Sequence, residues 1–275
     1  MRRFFVVALF LGLFVPVWAN DAGQSSVSQT IEGFKLSGFN PDGSKDWDLN
    51  GKTAYIEDDV MRFDKIEGHG YSKEDIIKVS SDKGLYNQRT GNLLLSENVI
   101  AQSKTGAKII TDKAMWDTAS NTIHTDSHVV AIKGASIAQS NGAQVKIDEN
   151  SVDMKKDVVV QIERMEGNKK VKTSITCDGP LQVNYEKKTA VFNNNVVVHD
   201  KDAVIYSDKL FVYFNNDDNK ITDIVAKGNV RIIKGDNETK GQEAHYNVST
   251  QELVMTGRPT VLFYGEDGQN ALAGN

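Results

Sequence analysis

Apolar and polar positions alternate in short runs along almost the whole chain after residue 30. Val, Ile, Tyr, Phe and Thr fill the apolar positions, and Gly, Asn and Asp bound the runs. Side chains two residues apart share one face of a β-strand, so the pattern predicts many strands with one apolar face each. Only residues 57–66 also fit a short helix. The 4 prolines favour uninterrupted strand ladders, to which proline cannot donate.

A short phrase occurs four times and is centred on an aspartate. A β-branched apolar residue lies three positions before the aspartate, a small residue lies one position before it, and a large apolar residue lies three positions after it. Each copy then continues through a polar turn to a valine. Such a repeat indicates stacked supersecondary units that bury one continuous apolar face. The four central residues are Asp82, Asp112, Asp178 and Asp208.

Strand alternation assigns these positions to faces. The apolar residues before and after the aspartate should share a face with the small residue, and the aspartate should lie on the opposite face near a bend, hydrogen-bonded to local backbone. Residues 163–172 are polar and charged, which makes them the best candidate for a linker or long loop between two blocks.

The N-terminus is typical of an export signal. Arg2 and Arg3 precede an apolar run that ends in a small-x-small pattern at Ala19. We predict a signal peptide over residues 1–19, and an uncleaved membrane anchor is the alternative. Residues 20–33 are predicted to be a flexible spacer, and residues 265–275 a flexible tail.

Composition narrows the classes of function. The formal net charge is −5, from 32 basic and 37 acidic residues, and the chain lacks the basic stripe that nucleic-acid binding requires. Cys177 is the only cysteine, so an intrachain disulfide is impossible. An exported protein without disulfides needs an adequate hydrophobic core, and the chain is long enough for one or two.

Candidate chemistry is sparse. A column with one aspartate per repeat is what a structural bend produces, whereas a catalytic pair needs two carboxylates that converge. His124 and His128, with Asp126 between them, could share a face and bind a metal, but no third ligand cluster is visible. Cys177 occupies the small-residue column and is predicted to be buried and inert. The chain has no Gly-x-x-x-x-Gly-Lys-Ser/Thr loop. We predict no enzyme, no metal and no cofactor.

The two blocks resemble two families of lipopolysaccharide-export proteins. The first block, residues 34–164, resembles the LptC family, and the second, residues 172–264, resembles the OstA-type domain of the LptA family. The resemblance to LptC rests on Trp47, Leu49, Gly51, Ala54 and Tyr55, on residues 81–86, and on Asn98 and Val99. The resemblance to LptA rests on Ile205, Ser207, Asp208 and Val212, on Ala226, Gly228, Val230 and Ile232, and on Gly241, Ala244, Tyr246, Thr256, Gly257 and Pro259.

This resemblance implies an antiparallel β-jellyroll of stacked repeats with an apolar interior trough, in one block or in two in tandem. It implies a periplasmic protein, tethered to the inner membrane if the signal is not cleaved. The implied role is to shield the lipid A acyl chains of lipopolysaccharide between the two membranes. The implied partners are other lipopolysaccharide-transport proteins, joined through edge strands, and further copies of the chain, joined head to tail.

Specific residues are then expected to line the trough. The alternative is that the same residues form a sealed core, in an exported β-stack with a structural or adhesive role. The repeat supplies Val79, Ile109, Met115, Ile175, Leu181, Ile205 and Phe211, and the positions after the turns add Val99, Val129, Val196 and Val230.

Overall fold

The structure is a computed structural model that describes residues 29–39, 42–71, 76–166, 168–201, 203–215, 220–264 and 270–272. The predicted signal peptide lies outside these residues, as do most of the predicted spacer and tail. The last residues assigned to the spacer, 29–33, belong to the first strand. Within the described part of the chain, no helix is long and apolar enough to cross a membrane.

The described residues form eighteen β-strands, which follow one another along the chain. The first nine are β1 (Gln29–Phe39), β2 (Lys45–Glu57), β3 (Val60–Tyr71), β4 (Ile76–Asn87), β5 (Leu93–Ser103), β6 (Ala107–Asp117), β7 (Thr122–Lys133), β8 (Ser136–Lys146) and β9 (Ser151–Glu166). The others are β10 (Lys169–Cys177), β11 (Leu181–Asn184), β12 (Thr189–Asp200), β13 (Ala203–Phe214), β14 (Ile221–Lys234), β15 (Asn237–Asn247), β16 (Glu252–Thr256), β17 (Thr260–Tyr264) and β18 (Asn270–Leu272).

These strands form one antiparallel sheet in which most strands pair with their neighbours in the chain. The strands β10 and β11 share one position, since both pair with β9 and β12. In the same way, β16 and β17 both pair with β15. The strand pairs in close contact are all hydrogen-bonded neighbours, so the molecule is a linear stack. The predicted all-β antiparallel class is confirmed, and residues 60–66 form strand rather than helix.

A row of alternating large and small side chains runs through the middle of the strands. Examples are Val129, which pairs with Ser140, and Val196, which pairs with Ser207. The small residue of each pair leaves room for the large one, so the chain packs tightly where the strands bend. We call this set the bend row: Phe34, Gly51, Ile66, Ser81, Val99, Thr111, Val129, Ser140, Val158, Cys177, Val196, Ser207, Val230 and Gly241.

One close contact in the bend row requires a glycine. The Phe34 and Phe63 rings stack with centroids 4.8 Å apart. A Cβ atom on Gly51 would lie 2.5 Å from Cε1 of Phe34, inside van der Waals contact. The glycine therefore lets the Phe34 ring lie directly against the β2 backbone.

The sheet bends next to the bend row because most strand pairs shift register there. In β12 the shift lies between Asn193 and Val196, and in β5 it lies between Ser96 and Val99. A β-bulge adds one residue to one strand and bends it. The two halves of each strand consequently form two walls that face one another, and the buried core clusters contain residues from both halves.

The bulge overturns the predicted face of the residue three positions after the aspartate. In β4, both Asp82 and Lys83 point away from the interior, so Gly84 is buried and Leu85 is exposed. Met115 and Phe211 have the same orientation as Leu85. They lie on the outer face, whereas Ala114 and Leu210 before them face inward. Leu181 alone keeps the predicted direction, since the strand is interrupted at residues 178–180 and restarts at Leu181.

The segment predicted to be a linker is part of the sheet. Residues 163–166 form the end of β9 and residues 169–172 form the start of β10, and the two strands pair from Lys169 and Glu166 down to Cys177 and Val158. This hairpin extends past its neighbours, because β8 pairs with β9 only as far as Ile162 and β12 pairs with β10 only as far as Thr173. The charged composition reflects a projecting hairpin with solvent around it.

The opposite directions of Leu210 and Phe211 can be tested by truncation. Leu210 is 2% exposed in the core, so Leu210→Ala should lower the free energy of unfolding by about 2–5 kcal/mol. Phe211→Ala removes a larger side chain from the outer face and should cost less than Leu210→Ala. Urea denaturation of both variants measures the difference, and a greater loss for Phe211→Ala would contradict the bulged register.

Candidate functional site

The inner faces of the two walls form a continuous apolar surface along the sheet. On the first wall, one row of paired residues crosses the strands from β1 to β17. It consists of Leu36, Leu49, Gly68, Val79, Ala101, Ile109, Ala131, Ala138, Val160, Ile175, Val198, Ile205, Ile232, Thr239 and Val261. Thr239 is the one polar side chain in this row.

The second wall carries two inner rows. The row nearer the bend contains Ala54, Phe63, Gly84, Leu95, Ala114, Thr125, Ala143, Met154, Leu181, Phe192, Leu210, Ala226, Ala244 and Met255. The row nearer the open end contains Ile56, Met61, Tyr86, Leu93, Trp116, Ile123, Val145, Val152, Val183, Ala190, Val212, Ile224, Tyr246 and Leu253. Together with the bend row, these rows define what we call the trough.

Nine of the eleven residues predicted to line a trough lie on its inner surface. Val79, Ile109, Ile175 and Ile205 are in the first-wall row, Leu181 is in the second wall, and Val99, Val129, Val196 and Val230 are in the bend row. Met115 and Phe211 lie on the outside, where Nζ of Lys227 is 5.8 Å from the Phe211 ring centroid.

Exposure increases from the bend row to the open ends of the walls. The bend-row residues Val158, Val196 and Val230 are each 1% exposed. In contrast, Ile109 in the first wall is 40% exposed and Leu253 at the end of the second wall is 50% exposed. The trough is therefore sealed at its floor and exposed at these two positions, whereas Met61 and Val212 in the row nearer the open end are buried, at 8% and 7% exposure.

The middle of the trough is lined by small side chains. Two clusters of buried residues fill the ends, one around Phe63 and Ile66 and the other around Leu181 and Leu210. Between them, β6, β7 and β8 form a central section, in which the walls carry no bulky pair like those at the ends. Its inner residues, outside the bend row and the row nearest the mouth, are Ile109, Ala131 and Ala138 on the first wall and Ala114, Thr125 and Ala143 on the second. Facing β-sheets stand about 10 Å apart, and such short side chains span less of that distance than the bulky pairs at the ends do.

The central section also holds an unpaired donor. Nε1 of Trp116 is buried and has no hydrogen-bond partner among the described residues. Trp116 pairs with Leu93 and Ile123, which places it on the inner face near the mouth. Buried donors are normally paired, so an orphan N–H on the inner face is a position where a bound molecule can supply an acceptor.

Three aspartates of the column hold the bend through side chains of a neighbouring strand, not through the local backbone that the sequence analysis predicted. Three of the four aspartates accept a hydrogen bond from an asparagine in the next strand: Asp82 from Asn98 at 2.8 Å, Asp178 from Asn195 at 2.5 Å and Asp208 from Asn229 at 2.9 Å. Each asparagine has a positive φ, which places it in the bulge. The Lys65 ammonium, 2.7 Å from Asp82, and the Asn98 amide together lower the pKa of Asp82.

The histidine pair and the cysteine have equally simple environments. His128 occupies the position of the bulge asparagine in the second copy, and its Nδ1 lies 3.2 Å from Oδ1 of Asn141. No group of three His, Cys, Asp or Glu side chains is arranged for metal binding in the described residues. Burial raises the pKa of the Cys177 thiol, so the thiol stays protonated at neutral pH.

Comparison with protein families agrees with this geometry. Residues 4–174 match the model of the family described as lipopolysaccharide-assembly, LptC-related. The chain belongs to the LptC-related family. Residues 175–275 match the model described as LptA/(LptD N-terminal domain) LPS transport protein. A search of curated proteins found no match.

The two family matches establish a role in lipopolysaccharide transport, and they confirm the predicted order of an LptC-like part followed by an LptA-like part. The matches meet between residues 174 and 175, inside β10. Both edges of β10 are hydrogen-bonded at this point, to β9 and to β12. The LptC-like and LptA-like parts therefore share one uninterrupted sheet.

A buried carboxylate fastens β2 to β3 near the N-terminal edge of this LptC-like part. Asp48 is 8% exposed. Its Oδ1 lies 2.9 Å from Nδ1 of His69, and its Oδ2 accepts hydrogen bonds from the Tyr71 hydroxyl at 2.8 Å and from the Lys45 ammonium at 3.1 Å. The hydrogen bonds from His69, Tyr71 and Lys45 outweigh burial and lower the pKa of Asp48 to about 2.

The low pKa of Asp48 predicts a pH-dependent contribution to stability. A carboxylate with a depressed pKa stabilises the fold above its unfolded pKa, and the contribution is lost as the pH falls from about 4 to about 2. Asp48→Asn should therefore lower the free energy of unfolding by about 1–2 kcal/mol at pH 7 and by much less at pH 2.5. Urea denaturation at both pH values, with Asp112→Asn as an exposed control, measures this. An equal loss at both values would rule out the ionised carboxylate as the cause.

Proposed function

We propose that this protein carries lipopolysaccharide across the periplasm by holding the acyl chains of lipid A in the trough while the sugars remain in water. The observation that carries the proposal is the largely apolar inner surface that continues from strand to strand, buried at its floor and partly exposed toward its mouth. Each methylene kept from water contributes about 0.8 kcal/mol, so an acyl chain is strongly favoured inside such a surface.

The form of the trough supports movement as well as binding. Apolar contacts are non-directional, so a chain can shift along a uniform apolar surface without breaking specific bonds. The small side chains of the central section leave space for a chain, and Nε1 of Trp116 can donate to an ester or hydroxyl oxygen of the lipid. The chemistry of such a carrier involves no bond formation, and the energy for directed movement comes from a partner.

The edges of the sheet support the proposed partners. In the described residues, β1 pairs only with β2, which leaves the other edge of β1 available to another strand. An unpaired edge is a template for β-sheet addition. We therefore propose that other lipopolysaccharide-transport proteins, or a second copy of the chain, extend the sheet at its ends and prolong the trough.

Photo-crosslinking on neighbouring residues tests whether lipid occupies the trough. A photoreactive residue at Ile205, in the first-wall row, should form adducts with lipopolysaccharide. The same residue at Tyr206, on the outer face, should not. The adducts are detected as a mobility shift with an antibody against lipopolysaccharide. Adducts at neither position, with folded protein and lipid present, would favour the alternative of a sealed structural β-stack.

A plug in the central section tests whether the space there is used. Ala131→Phe adds a ring to the first wall opposite the small residues of the second, and it should weaken lipid A binding about tenfold or more by filling the space. Val130→Phe places the same ring on the outer face and is the matched control. Binding is measured by titration with lipid A, and thermal unfolding confirms that both variants fold. Unchanged affinity in Ala131→Phe would contradict occupancy of the central section.

A further inference from the structure

The mouth of the trough has two lips, one at the open end of each wall. We define the first lip as the turns of the first wall that join β5 to β6, β7 to β8, β9 to β10, β12 to β13 and β14 to β15. Each of these turns has a lysine in it or beside it, accompanied in the last three by an acidic residue; the lysines are Lys104, Lys133, Lys169, Lys201 and Lys234. The second lip, at the open end of the second wall, carries charges of both signs, among them Asp58, Asp59, Arg89, Asp117, Glu149, Lys187 and Lys188.

Two lysines of the first lip stand directly above apolar inner residues. Alternation along β7 places Lys133 on the same face as Val129 and Ala131, and alternation along β14 places Lys234 on the same face as Val230 and Ile232. Both lysines are exposed, and neither has an ion pair in the described part of the chain. Each of these strands therefore changes from apolar floor to cationic lip within one inner face.

Between these two lysines, an arginine lies on the same face. Arg164 is two residues beyond Ile162 in β9, at the base of the projecting hairpin. Its Nη2 donates to Oδ2 of Asp200 at 3.0 Å, and the Thr173 hydroxyl donates to Oδ1 of Asp200 at 2.5 Å. These contacts hold the guanidinium at the lip, although Asp200 neutralises part of its charge.

The first lip suits an anion attached to an acyl chain. A lipid whose chains fill the trough must place its polar groups at the mouth, where a phosphate can accept charge-assisted hydrogen bonds from a lysine. Strands stand about 4.8 Å apart, so successive turns of the first lip lie about 10 Å apart, within reach of long lysine side chains on both sides.

We propose that the first lip binds the phosphate groups of the carried lipid, with Lys133 and Lys234 as two of the contact points, and passes them from turn to turn as the acyl chains move in the trough. This inference rests on the proposed function, and it adds a headgroup site to it. The class of ligand is a phosphorylated glycolipid.

The experiment compares two lipids and three forms of the full chain. The lipids are lipid A with its phosphates and lipid A of the same acylation from which the phosphates have been removed. The forms are the wild type, the double variant Lys133→Glu/Lys234→Glu, and the control Lys113→Glu/Lys209→Glu. The control lysines are exposed on the outer side of the bend, one in each block, and give the same change in net charge.

We expect the double variant to bind phosphorylated lipid A about tenfold more weakly than the wild type does, and dephosphorylated lipid A equally well. The control should match the wild type with both lipids. Higher salt should weaken the binding of the phosphorylated lipid alone, because exposed charge pairs are screened. Thermal unfolding of all three forms confirms that they are folded.

The outcomes separate this inference from the function on which it rests. If the wild type binds both lipids equally and the double variant changes neither, the trough binds acyl chains and the headgroup site is wrong. If the double variant loses both lipids equally, the effect is not on phosphate and the inference is again overturned. If the wild type binds neither lipid, the proposed function itself fails.

Discussion

The large-to-small pairing along the bend row is the constraint on which the rest of the structure depends. An open trough has no second sheet to close it, so its walls must be held together along the bend row, which is the seam between them. At that seam, valines such as Val196 and Val230 face Ser207 and Gly241, and the fit buries each valine almost completely. Larger residues in the small positions would force the strands apart, whereas smaller residues in the large positions would open cavities. The seam therefore fixes the angle between the walls, and both inner faces follow from it.

Sequence reasoning recovered the seam and the first wall but assigned part of the second wall to the wrong face. The small residue before each aspartate and the valine after each turn are the two halves of the bend row. Met115 and Phe211 were predicted to face inward on the assumption that side chains alternate between the two faces without interruption through the aspartate. Two consecutive polar residues, Asp and Lys, stand there in three of the four copies, and both point outward. That Asp-Lys pair, followed by Gly84, Ala114 or Leu210, was the signal of a bulge in the sequence.

Other features depend on pairing between strands and have no local signal. The small residues of the central section, such as Ala131 and Ala143, are unremarkable in sequence and become a site only when the register aligns them. The lysines of the first lip are likewise far apart in sequence, and only the strand pairing shows that their turns lie side by side. The hairpin at residues 163–172 has the composition of a linker, and only its pairing shows that the sheet continues through it. The join between the LptC-like and LptA-like parts is therefore a strand, which transmits the register of one part to the other.

A linear stack separates the residues that maintain the fold from those available for function. Most close backbone contacts of each strand are with the strands it pairs with, so stability comes mainly from neighbouring ladders and from the seam. The inner surface near the mouth contributes less, as the partial exposure of Ile109 indicates. An apolar surface that remains accessible in a stable protein is costly in water. On the function proposed above, an acyl chain that covers this surface removes that cost.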